Sequence, residues 1–150
     1  MVQKKLHPVK ESKMTISSYI VDFLKLYDGI EIETNHIQDG SDKNGLFKSP
    51  AREVSRKIDR SMEITEHYQF LARQASIEDA ERKEADEWLE DLTYWIDDFP
   101  FHYVYPKIDK NRTITDISVT GILAPLEYQE DDIVYQISLS ITYLRESEEI

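Results

Sequence analysis

From Ile133 to Leu144 the chain alternates between two kinds of side chain. Ile133, Tyr135, Ile137, Leu139, Ile141 and Tyr143 fall on one side, and Gln136, Ser138, Ser140 and Thr142 fall on the other. Successive side chains of a strand point to opposite faces, whereas a helix brings every third or fourth residue together. This stretch therefore predicts a strand with one buried and one wetter face, and it requires something apolar to lie against the buried one. Met62 to Ala72 repeats the pattern, with Met62, Ile64, Tyr68, Phe70 and Ala72 opposite Glu63, Thr65, His67, Gln69 and Arg73. Thr113 to Ala124 is rich in Ile, Val and Thr, and the short acidic connection Pro125 to Asp132 predicts an antiparallel hairpin with the last strand. Ile30 to Thr34 alternates as well and reads as a shorter strand.

Two helical stripes supply the cover. Thr15 is placed to cap a first helix in which Ile16, Ile20, Phe23, Leu24 and Tyr27 share a face, with Asp28-Gly29 as its stop. A second helix is expected from a capping start at Ser76 and Asp79 to about Asp97, ended by Phe99-Pro100. Its apolar stripe is Ala85, Trp88, Leu89, Leu92, Trp95 and Ile96. His36 to Asn44 reads as a loop, and Leu46 to Ser61, interrupted by Pro50, as a short edge strand or an irregular turn. The expected fold is α+β: an antiparallel sheet of about four strands with two helices packed on one face. At 150 residues there is room for one domain, residues 14–150, preceded by a flexible basic arm at 1–13 that holds four lysines.

Composition narrows the function. Cysteine is absent, which removes disulfides, thiolate-bound metals and cysteine nucleophiles. No apolar run approaches the roughly 20 residues that span a bilayer, and the amino terminus has no apolar segment of a secretory signal. A net charge of −12 opposes phosphate contact, so sequence-specific nucleic-acid binding is not expected.

Catalytic patterns are missing: there is no GxSxG, P-loop, GxGxxG or HExxH, and the four histidines sit in separate segments. His67 is expected to be a solvated or interface histidine. His102, among Phe99, Phe101, Tyr103 and Tyr105, is expected in a helix-to-strand connection buried in the core. Glu84, Glu87 and Asp91 share a helix face, but a hard-cation site needs ligands from several segments, so they read as a solvated acidic surface. No catalytic residue, metal or cofactor is assigned.

Charge is segregated along the chain. Lys43, Lys48, Arg52, Arg56, Lys57 and Arg60 face only Glu53 and Asp59 within one stretch. Lacking interleaved aromatics and a groove-reading helix, this stretch is a poor nucleic-acid surface. A basic surface at Lys48, Arg52, Arg56, Lys57 and Arg60 that meets Glu84, Glu87 and Asp91 of a neighbouring copy is physically more attractive than DNA contact, because such head-to-tail contacts close into rings; two ordinary solvated faces are the plain alternative. Exposed sheet edges offer a second means of joining copies.

Three segments carry a family likeness: MTISSYIVDFLKLYDGIEI at 14–32, the run from Gly45 to Asp97 that includes GLFKSPAREVSRKIDRSMEITEHYQFLARQ and ERKEADEWLEDLTYWID, and VYQISLSITY at 134–143. In these the chain resembles the small minor capsid proteins encoded between head and tail genes in long-tailed phages and prophages of Gram-positive bacteria. The likeness spans most of residues 14–145 and rests on overall pattern, not on a catalytic motif. Such proteins are similar to tail terminators, which cap the tail tube as hexameric rings and offer a surface to the head connector. The resemblance implies a virion protein, present in the host cytoplasm during assembly, with itself, the tail tube and the head connector as partners and no cofactor or membrane. Two other classes compete with it: an acidic partner-binding protein (an immunity protein, antitoxin or DNA mimic) that uses the helix at 78–98, and a small enzyme with a pocket near His102 and Tyr103.

Overall fold

The computed structural model describes residues 14–27, 32–34, 43–75, 79–128 and 132–146. The arm at 1–13, the Asp28-Gly29 stop, residues 36–42 of the expected loop and the Ser76 cap lie outside them; the last two residues of that loop, Lys43 and Asn44, are strand instead. The architecture is α+β, in the order α1 (Ile16–Lys25), β1 (Glu33–Thr34), β2 (Lys43–Arg56), β3 (Met62–Ala75), α2 (Asp79–His102), β4 (Arg112–Tyr128) and β5 (Asp132–Arg145). The strands form one sheet in the order β1-β2-β3-β5-β4. Four of them are antiparallel neighbours, and the two-residue β1 adds to β2 in parallel.

β3 and β5 lie at the centre, paired without interruption from Met62↔Arg145 to Ala75↔Asp132. That register puts Ile64, Tyr68, Phe70 and Ala72 beside Tyr143, Leu139, Ile137 and Tyr135 on one face, so the two alternating patterns combine into a single apolar surface. Both helices cover it. Phe23 of α1 meets Trp95 and Phe99 of α2 at ring-centre distances of 5.1 and 4.9 Å, and Trp88 of α2 lies 6.3 Å from Phe70 of β3. Leu24, Leu92, Ile96, Ile137 and Ile141 are fully buried between the layers. Each such side chain contributes about 1.5–3 kcal/mol. Thr15 caps α1 as expected, accepting from the Ser18 amide at 3.1 Å.

Three expectations need correction. Leu46 to Ser61 is neither a short strand nor an irregular turn, because β2 runs for 14 residues from Lys43. Pro50 is accommodated by a bulge in which Ser49, Pro50 and Ala51 stand against His67 alone, between Lys48↔Tyr68 and Arg52↔Glu66. Phe99-Pro100 does not end α2, which continues to His102. Proline forfeits one helical hydrogen bond, but Phe99 is anchored among Phe23, Trp95 and Tyr105, and the Tyr103 amide donates to the Phe99 carbonyl at 2.8 Å to close the last turn. Finally, β4 extends through Pro125 to Tyr128, with a register shift between Leu123 and Glu127 taking up the extra residues.

Candidate functional site

The outer half of β2 and the turn after it form an arm. Every residue from Ala51 to Arg60 is exposed, and Ile58 at the tip is as open as in an extended chain, at 105%. The turn is built locally. The Arg60 amide donates to the Lys57 carbonyl at 3.0 Å, and the Lys57 amide donates to the Ser61 carbonyl at 2.9 Å. Asp59 accepts from the Ser61 amide and hydroxyl at 3.0 and 2.6 Å, and those hydrogen bonds hold its carboxyl below the usual range. Arg60 closes the loop in the left-handed region, at φ 72°. Arg52, Val54 and Arg56 pair with Glu66, Ile64 and Met62, so they lie on the helix-covered side of the sheet, but beyond the reach of the helices.

At the root of the arm lies a carboxylate that the sequence reading missed. Glu66 occupies an inward position of β3 and is 5% exposed. Its Oε1 accepts from the Tyr68 hydroxyl at 2.9 Å and pairs with Lys48 Nζ at 3.2 Å, and its Oε2 accepts from the Tyr143 hydroxyl at 2.6 Å. Burial is the largest single influence and opposes ionisation. The hydrogen bonds from Tyr143, Tyr68 and Lys48, with the lysine charge, together outweigh it and hold the carboxyl below its ordinary value. Burial is also the main reason that both tyrosines titrate well above theirs. The signal was visible in the sequence: a single acid interrupts the apolar face between Ile64 and Tyr68. Beside this group, Arg52, Arg112, Arg145, Tyr143 and Thr15 line a polar cleft of about 420 Å³. Arg112 is held there by Asp109 at 2.8 Å and by the Met14 carbonyl at 2.6 Å.

A second surface runs along α2. Glu84, Glu87, Asp91, Tyr94, Asp98 and Phe101 follow one another at alternating steps of three and four, so they form one stripe, and all are exposed. Acids occupy its first half. Its far end is aromatic, with Tyr94 and Phe101 at 55% and 82% exposure, and Tyr103 and Val104 follow, also exposed. The connection around His102 is thus not buried in the core as expected: only Phe99 is buried and Tyr105 half-buried. The chain turns outward there because Phe99 and Tyr105, stacked 5.3 Å apart, already fill the space beside Phe23.

The structure brings Arg52, Arg56, Lys57 and Arg60 together on the arm, and Glu84, Glu87 and Asp91 together on the stripe. Lys48, also exposed, stands apart from the group on the arm, its ammonium paired with Glu66. Of the sheet edges, β4 is occupied at its middle. The Ile117 amide donates to the Tyr105 hydroxyl at 3.1 Å, and the Val119 amide reaches Asp97 Oδ1 at 3.4 Å. His67 pairs with Glu53 at 2.7 Å on the face away from the helices. Among the described residues no group of three or more His, Cys, Asp or Glu side chains is placed to hold a metal ion, and no helix is long and apolar enough to cross a membrane. Comparison with protein-family models and with characterised proteins finds no match for this chain.

Proposed function

We propose that this protein is a structural virion component of a tailed phage or prophage, acting at the head–tail junction or tail end as a ring-forming tail terminator or minor capsid protein. The single observation that supports it best is the basic arm, whose ten outermost residues, Ala51 to Arg60, are all exposed and carry a bare isoleucine at the tip. A solvent-exposed arm of this length gains little stability for its own chain, so it is built to touch another. The face of the sheet away from the helices fits a ring through which DNA slides. Thr65 with Thr142, Ser118 with Ser140, and Gln69 with Gln136 and Ser138 hydrogen-bond across strands there, so its middle presents hydroxyls and amides, while His67 is paired with Glu53 and Arg73 is buried. The partners in this reading are further copies of the chain, the tail tube and the head connector.

The test is light scattering of the purified chain over a concentration series, alone and with tail tubes of the phage that encodes it. Rings, or capture at tube ends, are expected. A strict monomer that ignores tubes would refute the proposal. The exposed acids of α2 favour a second reading, an acidic protein that binds one basic partner through residues 78–98; a stable one-to-one complex with a host protein, lost on reversing Glu84, Glu87 and Asp91, would replace the first.

A further inference from the structure

Resting on the self-assembly reading above, we infer that the tip of the β2–β3 hairpin of one copy seats on the aromatic end of the α2 stripe of the next, with Ile58 against Phe101. Two independent complementarities support this pairing. The first is apolar: Ile58 and Phe101, at 105% and 82%, are among the most exposed large apolar side chains of the described residues, and none of those residues covers either. The second is electrostatic: Ile58 is flanked by Arg56, Lys57 and Arg60, with Asp59 tied back to Ser61, and the aromatic end of α2 is bordered by Asp91, Asp97 and Asp98. Opposite charge around an apolar contact sets register and partner choice.

The dimensions agree. Glu84 to Phe101 spans about 26 Å at 1.5 Å per helical residue, and Arg52 to Ile58 spans about 20 Å at 3.3 Å per strand residue. With Ile58 on Phe101, Arg56 falls beside Tyr94 and Asp98, and Arg52 comes level with Glu87. The two surfaces belong to different parts of the fold, since the arm grows from β2 and β3 while Asp97 of α2 reaches the far edge strand β4. Each copy therefore offers one arm and one seat, and the contact is head to tail.

The absence of native cysteine makes a direct test clean. Ile58→Cys and Phe101→Cys variants, both at exposed positions, are mixed and oxidised with diamide at a concentration where light scattering detects wild-type assembly. A disulfide requires Cα atoms within about 7 Å. The expected result is a mixed 58–101 dimer at least tenfold above either variant alone, and a ladder of higher species from the double variant. Assembly without the mixed disulfide, or with only 58–58 or 101–101 products, overturns this contact and leaves the self-assembly reading standing. A wild-type chain that stays monomeric at every concentration, and on tail tubes, removes both. In parallel, Ile58→Asp and Phe101→Asp should each reduce wild-type assembly to monomer, and their mixture should stop at a dimer, because one intact arm and one intact seat remain. Assembly undiminished in both single variants also overturns the contact.

Discussion

Replacing Glu66 by glutamine keeps the shape of the side chain and removes its charge. Three contacts change. Hydrogen bonds to a charged group are worth about 1.5–3 kcal/mol and neutral ones about 0.5–1.5 kcal/mol, so the Tyr68 and Tyr143 bonds lose roughly 2–3 kcal/mol together. The Lys48 ion pair adds well under 1 kcal/mol, because more than half of that side chain is in water. Relief of the burial cost of the charge returns part of the loss. A net destabilisation of about 1–2 kcal/mol at neutral pH follows. With a urea dependence near 2 kcal/mol/M, the unfolding midpoint drops by about 0.5–1 M. The pH dependence is the sharper signature. Because the folded-state carboxyl lies below its unfolded value, its contribution is complete above the unfolded pKa, about 4.3, and is lost as pH falls through the lower folded value. Urea titrations of the two proteins from pH 7 to pH 3 should therefore converge at the acid end. A gap that stays constant with pH, or a glutamine variant more stable at pH 7, would refute the assignment of an ionised, net-stabilising carboxylate.

Tyr105→Phe removes the hydroxyl that accepts the Ile117 amide, so thermal unfolding should fall by about 3–6 °C, the equivalent of a 1–2 kcal/mol hydrogen-bond loss, with aggregation on heating increased. Unchanged melting and aggregation would mean that the edge does not need this cover. Arg60→Gly places the permissive residue at φ 72°; relief of left-handed strain, about 1–2 kcal/mol, exceeds the added chain entropy of glycine, about 0.5–1 kcal/mol. Chemical denaturation should show a gain of about 0.5 kcal/mol, and a loss would contradict the turn geometry.

The elements that were legible in the sequence are those whose burial is one-sided along most of their length. β3 and β5 alternate because one face of each is covered over most of its length, and α1 and most of α2 carry stripes for the same reason. β2 was illegible because burial stops partway along it. Leu46 is inward and buried, but beyond the bulge the inward positions are Arg52, Val54 and Arg56, where no helix reaches and no apolar residue is demanded. The end of α2 misled for the opposite reason. A proline normally signals a stop, and only the tertiary anchoring of Phe99 carries the helix past it. Charge segregation was readable as two groups of residues; the fold gathers the acids on one stripe and four of the basic residues on the arm, while Lys48 turns to Glu66. Burial of Glu66 was not foreseen, since its three partners come from β2, from β3 itself and from a strand 77 residues away. Ile58 and Phe101 look in the sequence like any other apolar residues; only the arm and the outward turn after Phe99 expose them.

The side chains of Tyr105 and Asp97 on the middle of β4 bear on how copies of this chain can multiply. Endless growth by backbone pairing needs two free flanks on every subunit, one to receive and one to extend. With the middle of one flank capped by its own residues, continuous pairing along that flank is interrupted, the β2 side is left as the readier place for two molecules to meet, and fibrils are disfavoured. A finite assembly larger than a pair is then better knitted by side chains, which makes its size a matter of surface angles that a few substitutions can retune.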